Sequence, residues 1–224
     1  VNIRKISYRI SLDMMPRIVV RNISKKDIPE IVSIQRESYP EVASGNLYVP
    51  SFLENHINLF PEGQFCADFR GRIVASATSL IVSLEPEYAY HTWFDIVTKY
   101  GGSFTGRNPK SDSLYADDIV THPNFRRLGI GTLLFNARKK AATRFNLRRI
   151  IGGGRLSNYC QYADKMSVQE YADKVVKEQI HDPVLSFQLK NGFKFIKILP
   201  NYINDNHSLN YATFIEWSNP KYRK

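Results

Sequence analysis

Apolar positions recur with two different periods along this chain, and the changes of period mark its elements. Residues 17–23, RIVVRNI, read as a strand. Ser24 with Asp27 three residues later has the form of a capping box, which starts a helix running to about Tyr39. A second, short helix covers Phe52 to Leu59. GQFCADFR and RIVASATSLIVSL, divided by Gly71, read as the two strands of a hairpin. Residues 86–112 show no period and are expected to be irregular, with aromatics early and Gly, Asn and Pro late. SLYADDIVTHP is a strand stopped at Pro123. A helix then runs from Gly129 to about Phe145 with Ile130, Leu133, Leu134, Ala137, Ala141 and Phe145 on one face. LRRIIGGGR is the next strand. Ser167 and Glu170 form a second capping box, for a helix to about Ile180, with Val168, Tyr171, Ala172, Val175 and Val176 along one side. Another helix spans Pro183 to Asn191 and stops at Gly192. FKFIKILP and NYATFIEW close the chain as strands. Hairpin strands, then strand–helix–strand, then a helix and two strands amount to a mixed α+β architecture.

Bulk properties narrow the class. With 224 residues, 43% hydrophobic and 23% charged, the chain has the make-up of a soluble globular protein, and one domain is the simplest organisation. No apolar run approaches the roughly 20 residues of a membrane span, and VNIRKISYRISLDMMP lacks the apolar core of a secretory signal. Two cysteines, Cys66 and Cys160, cannot staple a chain of this size, so a cytoplasmic, reducing setting is expected. The five histidines have no ligand-like spacing, and no metal is expected. The net charge of +10 favours a polyanionic partner: nucleic acid, an anionic membrane or a phosphorylated cofactor. Lys139, Lys140, Arg144, Arg148 and Arg149 lack the interleaved aromatics of a nucleic-acid-binding surface, which counts against nucleic acid.

FRRLGIGTLLF (125–135) says where that cofactor would go. Gly is about 1 kcal/mol worse than Ala inside a helix, so a helix that opens on Gly129 and Gly131 needs a reason. Its first backbone N–H groups have no partner in the helix, and the dipole adds roughly half a positive charge. Glycines let an anion approach those N–H groups, and Arg126 and Arg127 add full charges. Neither the P-loop nor the Gly-x-Gly-x-x-Gly spacing is met, since Leu134 stands where the third glycine would be.

Arg126-x-x-Gly129-x-Gly131, after a strand ending IVTHP, resembles the acyl-CoA-binding motif of the GNAT N-acetyltransferase superfamily. The likeness extends over roughly 17–218 and includes KNGFKFI. It is similar above all to GNAT domains found ahead of a nitrilase-like domain in some bacterial proteins, with no such second domain expected here. The resemblance implies a mostly antiparallel sheet whose central strands splay apart for the pantetheine arm. It sets residues 1–16 apart as an extension, 157–181 as a helical insertion and 219–224 as a tail. The backbone of Arg127, Leu128, Gly129, Ile130, Gly131 and Thr132 would hold the CoA pyrophosphate. Ile119, Val120 and Thr121 would pair with pantetheine. Acetyl-CoA is the implied donor. An amine of a small molecule or peptide is the implied acceptor, with no membrane partner and a homodimer left open; the alternatives are a catalytically silent CoA-binding domain of the same kind and, behind it, a nucleic-acid-binding module.

Attack by an amine on a thioester needs a proton acceptor. Strict alternation would turn Asp117 to the side of Tyr115 and Ile119 and Asp118 to the other, so that only one of the two carboxylates faces the cleft. The resemblance favours Asp117 or Tyr115, and spacing alone leaves Asp118 open. In EPEYAYHTWF, His91 and Trp93 are candidates for the acceptor pocket, and Glu85, Glu87 and Asp95 for attracting an amine. The tyrosine acid frequent in the family falls here on Gln188, which has no titrating proton and is assigned instead to the pantetheine.

Overall fold

The computed structural model describes residues 18–40, 47–101 and 111–224. The proposed N-terminal extension, 1–16, lies outside them. Seven strands form one sheet in the order β1-β2-β3-β4-β5-β7-β6. They are β1 (Val19–Asn22), β2 (Phe65–Phe69), β3 (Arg72–Val82), β4 (Ser113–Thr121), β5 (Arg149–Arg155), β6 (Lys194–Leu199) and β7 (Ala212–Ser218). Every pairing is antiparallel except that of β4 with β5. The helices are α1 (Ile28–Ser38), α2 (Pro50–Leu59), α3 (Trp93–Gly101), α4 (Ile130–Arg144), α5 (Val168–Val176) and α6 (Leu185–Lys190). The mixed, mostly antiparallel architecture expected from the sequence is the one observed.

Two apolar layers sandwich the sheet. Ile31, Ile34, Leu53, Trp93 and Ile96 from α1, α2 and α3 pack on one face around Tyr115, Ile151 and Phe214. Phe135, Tyr171, Val175 and Leu185 from α4, α5 and α6 pack on the other around Leu114, Ile150 and Ile215. The first capping box is present: the Asp27 carboxylate accepts the Ser24 N–H at 2.8 Å and also binds Arg21 at 2.7 Å. That guanidinium holds the Asp27 carboxyl well below the usual carboxylate range.

Helix α3 was not expected; it falls in the stretch read as irregular. The Thr92 N–H donates to Asp95 Oδ2 at 2.8 Å and the Asp95 N–H to Thr92 Oγ1 at 3.1 Å, a reciprocal cap that the aromatic run around it obscured. The buried face of α4 is also rotated from the expected one. Leu133 is 43% exposed, and Arg138, only 1% exposed, sits mid-face with Leu134, Phe135, Ala141 and Ala142. A buried cation breaks an apolar stripe, so periodicity could not find it. Residues 219–224, set apart as a tail, dock on the α4–β5 turn, where the Asn219 amide donates to the Leu147 carbonyl at 2.8 Å.

Candidate active site

β4 and β5 pair only at Ser113–Arg149, Leu114–Ile150 and Tyr115–Ile151. Beyond these they separate, leaving one edge of residues 116–121 without a strand among the described residues. A cavity of about 990 Å³ fills the wedge and runs from the start of α4 to the face covered by α1 and α3. Its size suits a large ligand with a long narrow arm. The wall along β5 is glycine for steric reasons. A Cβ on Gly153 would lie 2.1 Å from the Tyr202 ring, and one on Gly154 would lie 2.3 Å from the Gln188 amide.

The two glycines of the α4 turn turn out to differ. Gly129, the residue before the helix, has φ 78°, a left-handed conformation that a side chain would strain. Gly131 instead lies under α6, where a Cβ would meet the Phe187 ring at 2.7 Å. The Leu133 N–H makes the first helical bond, to the Gly129 carbonyl at 3.2 Å, so the N–H groups of Ile130, Gly131 and Thr132 have no acceptor in the helix. Arg127, also left-handed with φ 64°, is exposed beside them. Arg126 braces the turn, its Nε donating to the Thr121 carbonyl at 3.2 Å and Nη2 to the Ser38 carbonyl at 3.3 Å. Of the eleven residues expected at the cofactor, all but Val120 and Leu128 line the cavity. The Val120 side chain points into the core, and Leu128 points to solvent.

On the opposite face the alternation rule fails. The β3–β4 register slips between Thr78, opposite Asp118, and Ser79, opposite Ala116, so Asp117 is the extra residue of a bulge. The bulge turns both carboxylates to the same face, so the expectation that only one could reach it is corrected. Asp117 accepts from Trp93 Nε1 at 2.8 Å and Thr78 Oγ1 at 3.3 Å, with His56 Nδ1 at 3.8 Å. Asp118 accepts from Gln35 Nε2 at 3.0 Å, and the Tyr39 hydroxyl, 2.9 Å from the Ile119 carbonyl, lies 3.3 Å from its Oδ1. Burial and the neighbouring Asp118 push the Asp117 carboxyl well above the usual range. Asp118 is raised by burial too, against the pull of Gln35, Arg138, Tyr39 and Arg155. Burial alone lowers His56 to about 4, keeping that ring neutral.

Arg138 reaches the bulge from below. Its guanidinium donates to the carbonyls of Thr78 and Asp118 and to Ser79 Oγ, binding backbone that the register slip frees from the ladder. Complete burial lowers its pKa to about 10, which still leaves it charged at neutral pH beneath the two carboxylates.

Tyr115 and His91 are placed differently from what was expected. Tyr115 is fully buried and does not line the cavity. Its hydroxyl sits 2.8 Å from His91 Nε2 and 3.0 Å from the Tyr202 hydroxyl. His91 therefore stands behind the tyrosine pair, and Tyr202 is the member at the cavity wall. Trp93 does line it. Glu87 is held by Arg148 and Arg149 at 2.8 Å, and Asp95 caps α3, so neither faces the cavity. Sequence reasoning missed Gln35, Tyr39, Arg138, Arg155 and His56. Each is a single polar residue in or at the end of a helix or strand, and no local spacing separates it from a surface residue.

The insertion packs as scaffold. The Asp182 carboxylate accepts the Tyr171 hydroxyl at 3.0 Å and the N–H groups of Val184 and Leu185 at 2.9 Å, tying α5 to the start of α6. This fixes Gln188, which is 5% exposed, over Gly154. Its Oε1 has no hydrogen-bond partner among the described residues.

The acetyltransferase (GNAT) family model matches residues 28–159, which include the splayed strand, the bulge and the glycine turn. The chain belongs to this GNAT family. It is 43% identical over 207 residues to the probable hydrolase YhcX of Bacillus subtilis (strain 168), covering 92% of this chain but only 39% of that protein. It is 38% identical over 208 residues to the uncharacterized N-acetyltransferase YkwB of the same organism, covering 92% of this chain and 91% of that one. Among solved structures, the GNAT-like decarboxylase GphF, in complex with isobutyryl-CoA, superposes with a TM-score of 0.73 at 17% identity, over 89% of this chain and 98% of that one. At that identity the likeness is one of fold. No helix among the described residues is long and apolar enough to cross a membrane.

Proposed function

We propose that this GNAT domain is an acyl-CoA-dependent N-acyltransferase that moves an acyl group, acetyl by default, from CoA to a primary amine of a small molecule or peptide. The observation that carries this is the cavity itself. It joins a ring of free backbone N–H groups on one face of the sheet to a pair of buried carboxylates on the other. The N–H groups of Arg127 to Thr132 bind the pyrophosphate, and the unpaired edge of β4 runs beside the pantetheine. Gln188 offers it an unused amide oxygen. The thioester lies at the bulge.

Of the two carboxylates, Asp117 is the deeper and holds a proton, burial and the neighbouring Asp118 both raising it. Asp118 stays ionised among its donors and takes the proton. The amine nitrogen attacks the thioester carbon, its proton passes to Asp118, and the C–S bond breaks. The amide and the CoA thiolate leave, the latter close to neutral stability because a thiol titrates near 8.5. A base whose pKa is raised toward neutrality is a better proton acceptor than an ordinary carboxylate.

The test is thiol release from acetyl-CoA with a panel of primary amines, with mass detection of the acylated product. Amide formation with at least one amine, at equal yield of CoA thiol and amide, is the expected result. Thiol release with no acylated amine in any case would refute it.

A further inference from the structure

Arg155, the last residue of β5, is held rigidly yet spends almost none of its hydrogen-bonding capacity. Its guanidinium carbon lies 4.9 Å from the centre of the Tyr39 ring, and Nη1 is 3.0 Å from Asp205 Oδ1. Asp205 is 1% exposed and fixes the β6–β7 loop by accepting the Ser208 N–H at 3.0 Å. The contact with Arg155 is an ion pair without hydrogen-bond alignment, since Asp205 Oδ1 has no hydrogen-bond partner among the described residues. An arginine carries five N–H donors in a planar fork. Among the described residues, none of those on Arg155 has an aligned acceptor, and the side chain, 20% exposed, lines the cavity. A purely structural arginine neutralising Asp205 would gain by turning its fork onto that carboxylate, and this one does not.

The place of the fork gives its purpose. Tyr39 carries Arg155 on its ring, and its hydroxyl, which donates to the Ile119 carbonyl at 2.9 Å, lies 3.3 Å from Asp118 Oδ1, so one side chain spaces the fork from the proposed base. We infer that the acceptor is an amino acid: Arg155 receives its carboxylate in a bidentate pair while the amine is delivered to Asp118. This rests on the acyl-transfer function proposed above and names its substrate class. Because Asp118 and Asp205 already flank the guanidinium, a singly charged carboxylate meets less repulsion there than a doubly charged phosphate. Pre-orientation by Tyr39 and Asp205 removes much of the ordering cost of binding.

The experiment compares each common amino acid with its own primary amide, which keeps the amine and side chain but loses the charge. Thiol release from acetyl-CoA is read for every pair, and calorimetry reads binding of the same pairs to protein saturated with CoA. At least one acid should be preferred over its amide by about tenfold or more, the scale of a lost charge-assisted pair. Arg155→Met should bring that acid and its amide within about threefold, and Arg155→Lys, which keeps the charge but loses the fork, should fall between. Equal use and equal binding of acid and amide throughout the panel would overturn the inference without needing any variant. Persistence of the preference in Arg155→Met would overturn it as well. Tighter binding of an acid, lost in Arg155→Met but with no turnover anywhere, would uphold the carboxylate site and refute acyl transfer.

Discussion

The two ends of the cavity are built from different materials. At the α4 end the cavity meets one contiguous turn, in which the N–H groups of Ile130, Gly131 and Thr132 have no acceptor in the helix. At the α1 and α3 end it meets side chains: Gln35, Tyr39, Trp93, Asp117, Asp118, Arg155 and Tyr202, drawn from helices, strands and a loop. A backbone site is indifferent to most substitutions but intolerant of anything that changes the path of the chain. A side-chain site has the opposite sensitivity. One end is thus suited to a constant ligand and the other to a variable one, as a common donor and a particular acceptor require.

The largest expected effect lies at the side-chain end and separates the two carboxylates. Asp118→Asn should lower kcat by about 10² to 10⁴, the usual cost of losing a general base, while acyl-CoA affinity stays within about threefold. Asp117→Asn should cost less than about tenfold, because an amide oxygen still accepts from Trp93 and Thr78 and a neutral group replaces a protonated one. The wild-type rate should also fall on acidification at a pH above the ordinary carboxylate range. The base must be unprotonated to act, and its folded-state pKa is raised, so activity is full above that pKa and lost as pH drops through it. Steady-state kinetics on both folded variants and a pH profile of kcat/KM decide this. A reversed order of the two variants would make Asp117 the base.

The backbone end gives the next test. Gly129→Glu imposes a side chain on a left-handed position and adds an anion beside the pyrophosphate, so affinity for acetyl-CoA should fall at least a hundredfold by calorimetry. Ala at Gly129 should cost much less, since a Cβ there meets nothing within 4 Å and only the conformational strain remains. Equal affinity for wild type and Gly129→Glu would remove the turn from the binding site.

The same contrast explains what could be read from the chain. The hairpin and the glycine turn follow from local rules of period and helix ends, so they were legible. So was the GNAT motif, which is contiguous. Asp117 and Asp118 were found as candidates, but their facing was not, because a bulge shifts the register through pairing with β3 that no property of ADDIV announces. Arg155 and Gln35 were missed for a plainer reason. Each owes its role to a neighbour far away in sequence: Gln35 meets Asp118 at 3.0 Å across 83 residues. Gly131 shows the limit within a motif. Its position was legible, but the close packing of Phe187 that requires it was not.

Gln188 stands where the two ends meet, and it carries the smallest effect. It occupies the family's usual position for a tyrosine acid, yet an amide has no proton to give at any relevant pH. What it has is an unpartnered oxygen, buried over Gly154 beside the splayed edge of β4. A buried acceptor without a donor costs free energy in the unliganded protein, and a pantetheine N–H would relieve that cost on binding. Gln188→Met keeps length and volume but removes the acceptor. The donor KM should therefore rise by up to about tenfold, with kcat lower by less than about tenfold, or 1.4 kcal/mol. The protein without CoA should be as stable as wild type or more so, since the unsatisfied group has gone. Thermal unfolding with and without CoA separates these contributions: the CoA-induced rise in Tm should shrink while the unliganded Tm does not fall. A kcat loss of a hundredfold or more in the folded variant, at saturating donor and acceptor, would instead place Gln188 among the groups that act on the transition state.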